Sequence, residues 1–153
     1  MTRTALLLLL ACCAGRGRPR QSQTSVADRE RGRQIYLKNC QVCHGENGAG
    51  IPEQFPPLVQ NHWVNGDPKP LIAIVLDGMK GEQVIDSMTY RGLMPAWRDS
   101  LTAPEIAAVL TFVRASWGNH VSAVEASDVQ KLRKETATRK NFWTEDELRR
   151  LKP

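Results

Sequence analysis

The sequence predicts an all-α fold: three or more helices around one site, with a helical extension at the C-terminus. Three observations carry that expectation. A cap signature opens a helical stretch at Ala27–Lys38, a capping box opens another at Thr102, and two more cap signatures follow residue 120. The 153 residues suit one domain with extensions, and no internal repeat divides them.

The N-terminal segment reads as a leader. Residues 1–11 hold a single Arg, Arg3, and an apolar run from Ala5 to Ala11. That run is shorter than the ~20 residues a membrane span needs and fits the core of an export signal. It ends in Leu9-Leu10-Ala11-Cys12, which resembles a bacterial lipobox. In such signals the cysteine becomes the lipidated first residue of the mature chain, so Cys12 is the expected lipid attachment point. Ordinary cleavage near Ala14 is the alternative. Cys13 is left unpaired, with no assigned role. Residues 12–26 then form a lipid-anchored tether: Gly15–Ser25 is basic, nearly free of apolar residues, and reads as flexible.

The first helix is expected over Ala27–Lys38. Ser25 with Asp28 gives its cap, and Ile35, Tyr36 and Leu37 give its apolar residues. Gly32 inside it costs about 1 kcal/mol relative to Ala, which makes sense where another backbone crosses close by. A loop rich in Gly and Pro follows from Gly45 to Gln60. A short helix is expected over Pro70–Leu76, stopped by Asp77-Gly78. Lys80–Trp97 should be irregular or hairpin-like. Thr102-Ala103-Pro104-Glu105 opens a helix with Ile106, Val109, Leu110 and Val113 on one face, ending near Trp117-Gly118. In residues 120–153, Ser127 with Gln130 and Thr144 with Glu147 mark two short helices. Val129, Leu132, Phe142, Trp143, Leu148 and Leu151 are too apolar for a solvated tail and should pack on the preceding domain.

Right after the first helix stands Cys40-Gln41-Val42-Cys43-His44. C-x-x-C-H is the pattern of c-type haem attachment. Positions i and i+3 of a helical turn share a face, so both thiols reach the two vinyl groups of one porphyrin. The histidine at i+4 falls under the iron as proximal ligand. Two other chemistries compete. A redox C-x-x-C follows a strand in a βαβ unit, whereas a helix precedes Cys40. A zinc site needs a fourth ligand, and His62, His120 or a carboxylate stands at no recognisable spacing.

Charge excludes one class of partner. Residues 1–27 carry four Arg and no acid, residues 28–119 nine Lys/Arg against ten Asp/Glu, and residues 120–153 eight against six. The excess of +5 therefore lies in the ends. The segment with the motif lacks the basic stripe that nucleic acid requires, so no nucleic-acid partner is expected.

Over residues 28–118 this order of elements resembles class I of the cytochrome c family. The resemblance implies the class I fold for a domain of residues 27–119, with one covalent haem c on Cys40 and Cys43. In that family an N-terminal helix with a Gly crosses a C-terminal helix with an aromatic, and the haem sits below. Gly32 and Tyr36 match the first helix, and Phe112 the aromatic. The family places a Pro and a Leu beyond the haem histidine, matched by Pro56 and Leu58. By resemblance the Pro56 carbonyl accepts the second ring N–H of His44, and Leu58 packs on the haem plane. Trp63 and Trp97 line the pocket or meet the propionates, with plain core as the alternative.

The sixth iron ligand has five candidates: Met79, Met88, Met94, His62 and His120. Met94, in Met94-Pro95-Ala96-Trp97, matches the family's distal ligand loop. Met79 and Met88 read as core filler, and the two histidines as surface or hydrogen-bonded residues.

The resemblance implies an electron carrier without catalysis of its own. It would use His/Met ligation to pass single electrons between protein redox partners on the periplasmic side, with the membrane reached through the lipid anchor. A second reading is a dedicated haem subunit of a dehydrogenase, oxidase or reductase. Leu110–Asn119 is similar to cytochrome modules of quinoprotein dehydrogenases and copper nitrite reductases. A haem enzyme such as a peroxidase, or a gas sensor, requires an open sixth position.

Overall fold

The computed structural model describes residues 26–151 of the chain. The leader, Cys12, Cys13, the tether and the Ser25 cap lie outside the described residues. The described residues are mostly helical, with one small hairpin inside Lys80–Trp97, the stretch expected to be irregular or hairpin-like.

Helix α1 spans Val26–Asn39 and α5 spans Ala103–Arg114. They cross at Gly32, where a Cβ would lie 2.2 Å from the Ala108 carbonyl oxygen. The sequence reason for this glycine is therefore contact, not flexibility. One turn further, buried Tyr36 packs its ring 5.6 Å from Phe112 and 5.0 Å from Trp117, centre to centre. Its hydroxyl donates to the Gly45 carbonyl at 2.5 Å, tying this crossing to the turn that ends the cysteine motif. At the start of α5, Glu105 Oε2 accepts from the Thr102 N–H at 2.9 Å and from its hydroxyl at 2.6 Å. The helix stops at Arg114, before the expected Trp117: the Ala115 and Ser116 N–H groups bond three residues back, to Phe112 and Val113, and the last turn tightens out of the α pattern.

Two single-turn helices, α2 (Gln41–His44) and α3 (His62–Asn65), flank the long loop. Helix α3 was not expected; the Asn61 side chain caps it by accepting from the Trp63 N–H at 2.8 Å. Helix α4 spans Pro68–Asp77, two residues longer at its start than expected. Asp67 accepts from the Lys69 N–H at 2.7 Å, and Pro68 takes the first helical position. From Pro70 to Asp77 every residue is buried, so α4 is the central rod of the fold and carries no solvent face.

Strands β1 (Gln83–Ile85) and β2 (Met88–Tyr90) pair antiparallel, with Gln83 opposite Tyr90 and Ile85 opposite Met88. Asp86 and Ser87 both have positive φ, as a two-residue hairpin turn requires.

After α5 the chain turns back over the helices. Helix α6 covers Ala126–Glu135 and α7 covers Glu145–Arg149. The cap of α6 is displaced from the expected Ser127: Glu125 holds that position, its carbonyl accepting from Asp128 and Val129. Val129 and Leu132, three residues apart on one face, are buried. Helix α7 keeps its expected cap: Glu147 Oε2 accepts from the Thr144 N–H at 2.9 Å. Val129, Leu132, Trp143 and Leu148 are buried in the same core as α4 and α5, and Leu151 packs against it.

Candidate functional site

The site is built from the end of α1 forward. Backbone bonds from Cys43 and His44 to the Cys40 carbonyl close the turn of α2, so Cys40, Cys43 and His44 share one wall of a cavity of about 290 Å³. Gly45 ends this turn at φ 75°, a conformation that favours glycine. His44 is buried, and its Nδ1 lies 3.0 Å from the Pro56 carbonyl oxygen. A carbonyl accepts only, so Nδ1 carries the proton and Nε2 keeps its lone pair. Burial pushes the imidazole's pKa down, opposed by the Pro56 bond. Burial, with the Cys43 thiol beside it, pushes the Cys40 thiol up to about 11.

The loop that brings Pro56 to His44 is pinned at both ends. Gly50 takes φ 69°, and a Cβ there would lie 2.3 Å from the Phe55 carbonyl oxygen. The Leu58 N–H donates to Gly48 at 2.8 Å. Asn119, fully buried beyond α5, donates to the carbonyls of Leu58 at 2.9 Å and Val113 at 3.0 Å. Its oxygen accepts from the Gln60 N–H and the Asn65 side chain, both at 3.1 Å. Arg114 donates to the carbonyls of Val64 at 2.6 Å and Gly66 at 3.0 Å, fixing the segment that carries Trp63. Neither residue was expected at the site. Each acts through backbone carbonyls distant in sequence, which no spacing rule reveals.

The remaining lining comes from the far side of α4. Met94 is half-buried, and its N–H and carbonyl both bond to Met79 at 3.0 Å. The Trp97 N–H donates to the Val75 carbonyl at 3.0 Å and the Arg98 N–H to Leu76 at 3.1 Å. Helix α4 thus has its last carbonyls satisfied by the Met94 segment instead of by water. The cavity brings together Cys40, Cys43, His44, Pro56, Leu58, Trp63, Met94 and Trp97, every site residue expected within the described region. Buried Met79 lines it too, whereas Met88, His62 and His120 are exposed.

These residues fit a covalently held haem. Two thiols and a histidine with a free Nε2 line an apolar cavity. Among the described residues the buried Trp63 Nε1–H has no hydrogen-bond partner, an orphan that a bound acceptor such as a propionate would satisfy.

The comparisons agree with this geometry. Residues 27–113 match the family model described as "Cytochrome C oxidase, cbb3-type, subunit III". The chain is 38% identical over 104 residues to the cytochrome c subunit of a quinone alcohol dehydrogenase from Gluconobacter oxydans, covering 67% of this chain and 22% of that one. It is 35% identical over 117 residues to cytochrome c-552 of Thermus thermophilus, covering 70% of this chain and 87% of the relative. It is 34% identical over 113 residues to the gluconate 2-dehydrogenase cytochrome c subunit of Pantoea cypripedii, covering 71% and 25%. The match spans about a fifth of the length of the alcohol dehydrogenase subunits. The chain belongs to the cytochrome c family, whose members carry covalent haem c.

Proposed function

We propose that this chain is a mono-haem electron carrier, with haem c attached through Cys40 and Cys43 and ligated by His44 and Met94. One observation carries the reading: these four residues line a single apolar cavity, and both prospective ligands have their surroundings fixed by backbone bonds. Haem c supplies one-electron chemistry when bound. The Pro56 carbonyl holds His44 in the tautomer that presents Nε2. Burial keeps that imidazole neutral and able to donate. Leu58, Trp63 and Trp97 keep water out, which limits rearrangement between oxidation states. Trp63 would offer its N–H to a propionate. With His44 and Met94 both holding the iron, no position would be left open for substrate, and the chain would perform no catalysis of its own.

Residues 27–119 form the haem domain on this reading, and residues 120–151 fold back on it as an extension. Val42 and Leu93, 79% and 53% exposed, are apolar residues on the rim of the cavity. They suit a small, transient docking face for a protein redox partner. The matched relatives named as dehydrogenase and oxidase subunits favour a second form of the same role, a haem subunit held in a larger complex. Among the described residues no helix is long and apolar enough to cross a membrane. Lipidation of Cys12 would place the protein at a membrane on the periplasmic side. Mass spectrometry of the mature protein should then find diacylglycerol on Cys12 as the first residue; an unlipidated start at Gly15 or later overturns that part.

The ligand assignment is tested by absorption. The ferric protein should show the weak near-red band of methionine sulfur on haem iron. Met94→Ala should abolish it, lower the potential and admit carbon monoxide to the ferrous form, with haem still attached. Met79→Ala and Met88→Ala should keep the band. A wild type without the band, or a band surviving Met94→Ala, overturns the assignment. Rapid carbon monoxide binding by the wild type would instead favour an enzyme.

A further inference from the structure

A buried ion pair stands behind the Met94 segment and takes no part in lining the cavity. Asp77 closes α4, and Arg98 follows Trp97. Arg98 Nε and Nη2 both lie 2.7 Å from Asp77 Oδ1, and Trp143 Nε1 donates to Oδ2 at 3.3 Å. The side chains of Asp77 and Arg98 are 6% and 18% exposed. Arg98 also donates from Nη1 to the Arg133 carbonyl at 2.9 Å and from Nη2 to the Thr136 hydroxyl at 2.5 Å. Arg133 answers by donating to the carbonyls of Arg98 and, at 2.7 Å, Leu101. Three segments distant in sequence therefore converge on one carboxylate: the end of α4, the Met94–Arg98 segment, and residues 133–143.

The backbone repeats the convergence. Met79 bonds Met94 in both directions. On its other side the Trp143 N–H donates to Gly78 at 3.0 Å, and the Lys80 N–H to Trp143 at 2.9 Å. Met94 and Trp143 thus flank the same short stretch. The fit is tight: a Cβ on Gly78 would lie 2.5 Å from the Met94 carbonyl oxygen and 2.7 Å from the Phe142 ring.

A buried ion pair is weak evidence for stability, since apolar side chains of the same shape often hold as well. Its distinctive effect is geometric, because a guanidinium fork permits one arrangement of its partners. We propose that residues 133–143 form a clasp that fixes Met94, with Asp77, Arg98 and Trp143 as positioning residues for the sixth iron ligand. This rests on the reading of Met94 as that ligand. A neutral thioether in a loop free to swing is displaced by added ligands in proportion to the fraction of time it is away. The clasp keeps that fraction small.

Imidazole binding to the ferric, haem-loaded, full-length protein measures that fraction. Trp143→Phe removes one N–H from the carboxylate, and Arg98→Lys keeps the charge but loses the fork. Both should retain attached haem and the near-red band, yet bind imidazole about tenfold more tightly, the effect of losing one charge-assisted hydrogen bond. Ile106→Val, a buried change on α5 outside the clasp, should lower the denaturation midpoint and leave imidazole affinity within about twofold. Wild-type affinity in both clasp variants overturns the proposal. So does an equal rise in Ile106→Val, since loosening would then be global. If the wild type has no near-red band, or Met94→Ala keeps it, the ligand reading has failed and takes the clasp with it. A band present in wild type, absent in Met94→Ala, and imidazole affinity unmoved in the clasp variants is the distinct signature of a failed clasp alone.

Discussion

At the residue scale, single atoms decide which side chains this fold admits. Gly32→Ala illustrates two opposed terms. Alanine favours a helix by ~1 kcal/mol over glycine, but its Cβ would meet the Ala108 carbonyl oxygen at 2.2 Å, a contact with backbone that cannot rotate away. Overpacking costs about 1–3 kcal/mol and rises where backbone must move. The expected outcome is net destabilisation of up to about 2 kcal/mol, read as a lower denaturation midpoint; a more stable variant would show that the helices do not cross there. Asn119→Ala is a second case. It removes donors to Leu58 and Val113 and the acceptor for Gln60. Buried groups left unpaired cost ~1–3 kcal/mol each. The expected loss is about 3 kcal/mol, with haem still attached because the cysteine turn is untouched. Wild-type stability in this variant would mean that water replaces the side chain without cost.

At the element scale, two helices depend on the same device. Thr102 with Glu105 and Thr144 with Glu147 are capping boxes readable in the sequence, and both form. Hydrogen bonds from Thr102 hold the Glu105 carboxyl below its ordinary range, and those from Thr144, with Arg139, do the same for Glu147. A folded-state value below the unfolded one means that the unfolded chain binds more protons. The caps therefore contribute fully above the ordinary glutamate value of about 4.3 and weaken as pH falls through the folded values. Amide exchange of α7 should accelerate below about pH 4, before that of central α4. Thr144→Ala at neutral pH should cost about 1 kcal/mol and accelerate the same amides selectively. Uniform acceleration across the molecule would show that α7 opens only with the whole fold. The start of α6 was less legible: Ser127 resembles a cap, but the helix begins earlier, with the Glu125 carbonyl accepting from Asp128 and Val129.

At the scale of the molecule, the chain after α5 is part of one core instead of an appendage. Val129, Leu132, Trp143 and Leu148 are buried among the side chains of α4 and α5. Leu132→Ala, which leaves a cavity between elements, should cost about 2–5 kcal/mol. Chemical denaturation should then show one transition for absorbance of the haem and for helix content. Two separated transitions would mean that residues 120–151 form a weaker unit of their own.

The sequence by itself determined the local chemistry and the main helices. The Cys40–His44 spacing and the two capping boxes act within a few residues, where backbone geometry leaves little choice. It also placed Pro56 and Leu58 through a family resemblance, and the structure sets Pro56 against His44. Tertiary structure alone decided the rest. Asp77, Arg98 and Trp143 are unremarkable in their own neighbourhoods, and so are Arg114 and Asn119. Their partners lie 21 to 66 residues away for the carboxylate and as many as 61 for Asn119. Local patterns record what a segment prefers; they hold no record of which carbonyl or carboxylate, left unpaired by burial, a distant side chain must satisfy.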